Sequence, residues 1–117
     1  MDLRDLVQSL LARDALSARQ WVDDAKRGGL RWTTVSKPVG LDETALAVAA
    51  GVAELLAERA GQEPPLWVRS IGPAPEPVYL VSAALRMPRL RRSCLEDGPE
   101  PLRRRRILAP PDFLTAA

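Results

Sequence analysis

The stretch LDETALAVAAGVAELLAERAG, residues 41–61, constrains the fold most. It carries a capping aspartate at Asp42 and a glycine stop at Gly61, and Leu41 and Leu46 are spaced as a hydrophobic staple. Its first two turns are apolar on nearly every side. A surface helix would show one apolar stripe, so this helix is predicted at the centre of the fold. Gly51 costs about 1 kcal/mol against alanine in a helix interior. It is best explained by the close approach of another backbone. The same stretch has a superficial likeness to a helix-turn-helix, with Ala47 and Gly51 four apart. A recognition helix beginning near Ala53 would turn Glu54 and Glu58 towards phosphate, so one continuous core helix is the better reading.

The rest of the core must suit such a helix. Aromatics are few (Trp21, Trp32, Trp67, Tyr79 and Phe113), which leaves Leu, Val and Ala to build it. That palette packs helices better than sheets. The expected architecture is mainly α: a compact bundle of about five helices in one domain over residues 1–117, with 99–117 a basic and apolar tail. Leu3, Leu6, Val7, Leu10 and Leu11 form a helical stripe capped by Asp2. A second helix starts at Asp14 or Ser17, the latter with Gln20 as a capping box, and ends at Gly28-Gly29. Leu16, Val22 and Ala25 are its expected inner face. Residues 30–40 read as extended or irregular, with Pro38 biasing Lys37 away from helix. QEPPLWVRSIGPAPEP reads as a long loop plugged into the core by Trp67. VYLVSAALRM reads as a fourth helix with Pro77 in its first turn. RLRRSCLEDG reads as a fifth, with Leu90, Cys94 and Leu95 inward and Gly98 as its stop. PEPLRRRR adds one more turn, and the remainder is expected to be extended.

Several function classes fall away. The chain has no histidine, which removes Ser-His-Asp and Cys-His catalysis and His-ligated metals. Cys94 is the only cysteine, so an internal disulfide and a Cys-rich zinc site are excluded. Arginines near Cys94 would favour a thiolate, but its place between Leu90 and Leu95 fits a small core residue better. Glu54 and Glu58 share a helix face, a pairing that metal binding or acid–base chemistry could use, yet nothing supplies the rest of such a site. There is no phosphate-binding loop, dinucleotide glycine pattern or nucleophile elbow. An enzyme is not expected, and no cofactor is implied. No run of about 18 apolar residues would span a membrane, and MDLRDL does not read as a signal peptide. The expected location is a bacterial-type cytoplasm.

The charge is unevenly distributed. Residues 86–106 hold eight arginines against Glu96, Asp97 and Glu100, a net of +5, while the remainder nets −3. Arg103, Arg104, Arg105 and Arg106 are consecutive. An extended run would send alternate side chains to opposite faces, and a helical run would spread them around the axis, so neither makes a broad phosphate face alone. Arg86, Arg89, Arg91 and Arg92 could extend it into a basic patch. Three readings stand: a solvated charge run, a nucleic-acid contact, or docking to an acidic protein. Missing aromatic interleaving counts against single-strand binding. Ile107, Leu108, Phe113 and Leu114 lie beside the arginines, and such a mixture resembles an interface hot spot. On that reading the tail anchors a partner, few core positions lie after Pro101, and the fold survives its removal. A homo-oligomer is left open.

AELLAERAGQEPPLWV, PAPEPVYLVSAALRMPRLRR and PLRRRRILAPPDFL resemble small bacterial proteins encoded beside nucleotidyltransferase-like genes. LAERAGQEPPLWV is also similar to the C-terminal parts of some helix-turn-helix regulators of toxin–antitoxin operons. The resemblance spans roughly residues 45–115. It implies an antitoxin-like or accessory partner of a nucleotidyltransferase, and it assigns no residue roles. A small transcriptional regulator that binds nucleic acid through the arginine cluster is the alternative. Relative to those regulators no separate N-terminal DNA-binding segment is visible, so autoregulation through DNA is not expected.

Overall fold

The computed structural model describes residues 2–115; the last two residues of the predicted tail lie outside them. Over these described residues the architecture is mainly helical, with five α-helices: α1 (Leu3–Leu11), α2 (Ala15–Arg27), α3 (Glu43–Arg59), α4 (Pro88–Asp97) and α5 (Glu100–Arg103). Two short strands, β1 (Val78–Tyr79) and β2 (Ile107–Leu108), pair in parallel with Val78 opposite Ile107 and Tyr79 opposite Leu108. No described helix is long and apolar enough to cross a membrane.

The centre is α3, as its pattern predicts. It is one unbroken helix, and residues from Ala45 to Ala57 are buried on several sides. The Asp42 carboxylate accepts a hydrogen bond from the Ala45 amide at 2.8 Å, satisfying a donor that the first turn leaves free. Gly51 is buried because α5 crosses it. A Cβ built there would stand 2.7 Å from Leu102 Cδ2 and 3.2 Å from the Pro101 carbonyl oxygen. The close backbone approach inferred from the sequence is that of α5.

On one side of α3 lies the α1–α2 pair. The α1 stripe is buried at Leu3, Leu6, Val7 and Leu10, and Asp2 caps its first turn. Asp14, not Ser17, caps α2: it accepts from the Ser17 amide at 3.1 Å and from the Ser17 hydroxyl at 2.7 Å. These bonds hold the Asp14 carboxyl below its ordinary pKa, the side-chain bond foremost. Gln20 bonds Asp24 instead of closing a capping box. The inner face of α2 is Ala18, Trp21, Val22 and Ala25. Leu16 falls off that three-and-four spacing and is exposed.

The second half departs further from the sequence reading. The loop after α3 contains a 3-10 turn, Leu66–Ser70, that packs on α3. Val68 is the residue it buries completely, whereas Trp67 is half-buried against the core and donates its indole Nε1–H to the Val35 carbonyl at 2.9 Å. The predicted fourth helix does not form. Residues 78–79 are strand and Ser82–Leu85 is a 3-10 turn. The cause is non-local: the Val78 and Leu80 amides donate to the Arg106 and Leu108 carbonyls, each at 2.9 Å. Val, Tyr, Leu and Val are strand-favouring once a partner strand exists. Pro88 begins α4 instead of breaking a helix.

Candidate interaction surface

The four consecutive arginines sit at the junction of α5 and β2, and their backbone is neither an extended strand nor a continuing helix. Arg103 ends α5, Arg104 caps it, and Arg106 adopts φ +63°, the left-handed conformation that turns the chain into β2. The four guanidinium groups therefore leave in different directions, and each finds a partner within the same chain. Arg103 donates to the Glu96 carbonyl at the end of α4. Arg104 pairs with Glu54 of α3. Arg106 donates to the Pro75 carbonyl at 3.1 Å, holding the loop before β1.

Arg105 is the innermost, only 5% exposed. Its Nη1 donates to the Pro101 carbonyl at 2.9 Å, and its Nη2 reaches the Val68 carbonyl at 3.1 Å and Glu54 at 3.3 Å. Burial lowers its pKa, and the facing Glu54 carboxylate works in the opposite direction. One planar fork thus ties α3, the Leu66–Ser70 turn and α5 together, a geometry that lysine cannot reproduce. Glu54, grouped in the sequence with Glu58, serves as the shared counter-ion of two arginines.

The apolar residues beside the run behave likewise. Ile107 and Leu108 are buried, with Leu102 and Ala109 around them. Phe113 and Leu114 are partly buried against the core, and Arg59 binds the carbonyls of Phe113 and Pro111. The expectation that few core positions follow Pro101 is corrected: this segment is one wall of the core. Charge and proline content hid it, because each arginine that approaches the interior is matched by a carbonyl or carboxylate contributed from far along the chain.

The other predicted basic residues are placed differently. Arg86, Arg89, Arg91 and Arg92 are exposed on or beside α4. Only Cys94 of α4 is fully buried. It packs with Ala84 and Leu108 in a small cluster apart from the main core, joined by half-buried Tyr79, Val81 and Leu90. Burial raises the Cys94 thiol pKa, which favours the core reading over a reactive thiolate. Leu95, expected inward, is 47% exposed, because the cluster behind α4 is wide enough for only the Leu90–Cys94 edge. Leu85 and Met87 are 56% and 53% exposed. Arg91 and Leu95, four residues apart, lie along one side of α4, and Met87 immediately precedes the helix as its N-cap. Arg91 donates to the Ala84 and Leu85 carbonyls at 3.2 and 2.8 Å, which ties the Ser82–Leu85 turn to α4. Arg92 adjoins Leu95 and makes only a 4.0 Å contact to exposed Glu96. The result is an exposed face of leucine, methionine and arginine built from the Ser82–Leu85 turn and α4. Sequence reading missed it by assigning residues 78–87 to a helix; the signal available was the run of strand-favouring residues at 78–81.

No protein-family model matches this chain, and no curated protein or solved structure matches it either.

Proposed function

We propose that this protein is a protein-binding module that docks an acidic partner through the face formed by the Ser82–Leu85 turn and α4. The observation that carries this reading is the exposure of three large apolar residues close in the chain, Leu85, Met87 and Leu95, with exposed Arg86 and Arg92 beside them. The other exposed large apolar residues, Leu16, Val39 and Leu66, come singly from three separate segments of the chain, and isolated exposed apolar residues are ordinary for a folded chain. Methionine and arginine set among leucines is a composition enriched at protein interfaces. A carboxylate surface complements the arginines, and the apolar side chains exclude water around the ion pairs they form. Leu108 of β2 contributes from the small cluster under this face, and Arg103 ties α5 to the end of α4 through the Glu96 carbonyl.

The sequence resemblance makes a nucleotidyltransferase the first partner to test, with this chain as an antitoxin-like or accessory subunit. Such an enzyme holds metal-binding carboxylates at its catalytic centre, which suits a basic docking face. The test is calorimetric titration of a nucleotidyltransferase of the kind encoded beside the proteins this chain resembles, with wild type, with Met87→Ser/Leu95→Ser, and with Leu16→Ser, an even more exposed leucine away from the face, as control. The double variant is expected to lose at least about tenfold in affinity, or about 1.4 kcal/mol, and the control to bind normally. Equal binding by wild type and the double variant removes the proposed face. Steeply salt-dependent binding to random duplex DNA, abolished by changing Arg86, Arg89 and Arg92 to Gln, would instead favour the nucleic-acid reading.

A further inference from the structure

A cavity of about 320 Å³ opens on the opposite, acidic half of the sequence, between the C-terminal half of α2 and the end of α3. Its walls include Trp21, Trp32, Leu30 and Leu56. The two indoles meet at a tilt of 44° with centroids 6.1 Å apart, and they form a large, stiff apolar wall. The polar groups of that wall are already satisfied. Trp21 Nε1 donates to the Asp2 carbonyl at 3.1 Å. Gln62 accepts from the Trp32 amide at 2.9 Å and donates to the Leu30 carbonyl at 3.2 Å. Among the described residues, the charged side chains lining the cavity are Lys26 and Arg59, both basic. Among the described residues neither forms an ion pair with a carboxylate. Arg59 donates to the Phe113 and Pro111 carbonyls; partial desolvation lowers its pKa, and the nearby Glu58 and Asp112 carboxylates act in the opposite direction.

From these walls and these two cations we infer that the cavity binds a small monocarboxylate with an apolar body. The volume lies at the low end of the range for ligand pockets, about 300–1,000 Å³. At roughly 30 Å³ per water-sized atom group, it admits on the order of ten non-hydrogen atoms. The apolar body lies along Trp21 and Trp32, and the carboxylate meets the Lys26 ammonium, with the remaining Arg59 donors within the same mouth. Two helix C-termini border the site, and each carries about half a negative charge. Their last carbonyls are turned back on the chain: Gly28, Gly29 and Leu30 amides bond the end of α2, and Ala60, Gly61 and Gln62 amides bond the end of α3. Lys26 sets a full positive charge at the mouth against those partial ones, and Arg59 adds a second that Glu58 and Asp112 partly offset. A neutral or cationic ligand of the same shape would leave Lys26 unmatched.

The site shares no residue with the face on α4, so either proposal can fail without the other. The test follows the three indole N–H signals of the intact protein by nuclear magnetic resonance during titration with octanoate, octanol and octylammonium. Octanoate is expected to shift the Trp21 and Trp32 signals saturably while Trp67 stays fixed, and to bind at least about fivefold more tightly than octanol. Lys26→Gln is expected to erase most of that preference; the Lys26 side chain makes no hydrogen bond or ion pair among the described residues, so this variant should fold normally. The comparison of octanoate with octanol in wild type needs no variant at all. Unsaturable shifts, equal movement of all three indoles, equal affinity for octanol or octylammonium, or an unchanged preference in Lys26→Gln would each overturn the assignment.

Discussion

Arg105 shows how one side chain can change meaning between sequence and structure. In a run of four arginines it reads as surface charge, yet it is a buried fork shared by Glu54 and the Val68 and Pro101 carbonyls. Removing one partner of such a pair strands the other charge in low dielectric, which costs more than the pair contributes when intact. Glu54→Ala is therefore expected to destabilise the fold by about 3 kcal/mol, at the lower end for buried pairs because Glu54 keeps some contact with water. Urea denaturation checks this, and a loss under about 1 kcal/mol would mean that solvent reaches Arg105 freely. Gly51 is the complementary case, a residue whose cost in isolation is outweighed by its packing. Alanine would favour the helix by about 1 kcal/mol. Its Cβ, however, would press on Leu102, which is fully buried, and on the Pro101 backbone. Gly51→Ala should lower stability by about 1–2 kcal/mol in the same assay, as overpacking does; a stabilised variant would show that α5 moves aside easily.

Among the elements, α3 and α1 were legible because their own residues specify them. Asp42, Gly61 and the apolar run define α3, and Asp2 with the Leu3–Leu10 stripe defines α1. Strand β1 was not legible, because its two residues are strand only through pairing with β2, nearly thirty residues away. The same long connection decides the role of the C-terminal segment. Ending the chain after Pro101 would remove Leu102, Arg105, Ile107, Leu108 and Ala109 from the interior. It would also leave β1 without its partner. The truncated protein is expected to lose its cooperative thermal transition by circular dichroism. A sharp melt close to that of the full chain would show that the segment is peripheral. Gly98, between α4 and α5, serves this packing too: a Cβ there would lie 2.5 Å from the Cys94 carbonyl oxygen and 2.7 Å from that of Ala109.

At the scale of the whole molecule, two unequal cores divide the chain. The main one gathers α1, α2, α3, α5 and Ile107; the small one holds Cys94, Ala84 and Leu108 under α4. A helix resting on so few buried contacts should open without the rest of the protein. Amides of α4 are expected to exchange with solvent at least about tenfold faster than those at the middle of α3, and Cys94 to react with a thiol reagent on the faster of the two timescales. Equal protection of α3 and α4 by native-state hydrogen exchange would make the molecule a single cooperative unit. An arm of lower stability suits the docking face proposed for it, since adapting to a partner there costs the main core nothing.

What the sequence determined by itself was the set of elements whose information is local: the capped helices, the central placement of α3 and the need for close contact at Gly51. Helical periodicity, caps and glycine stops act within a few residues and can be read directly. Even there the inner face of α2 was misjudged at Leu16, although the correct spacing through Ala18, Trp21, Val22 and Ala25 was present. Only the tertiary structure decided the direction of each arginine, the strand at Val78–Tyr79, the burial of Ile107 and Leu108, and the exposure of Leu95. Each depends on a partner distant in sequence: Glu54 and Val68 for Arg105, Ile107 for Val78, and the narrow cluster behind α4 for Leu95. A side chain's own chemistry states what it can satisfy, and the fold alone brings the group that satisfies it within reach.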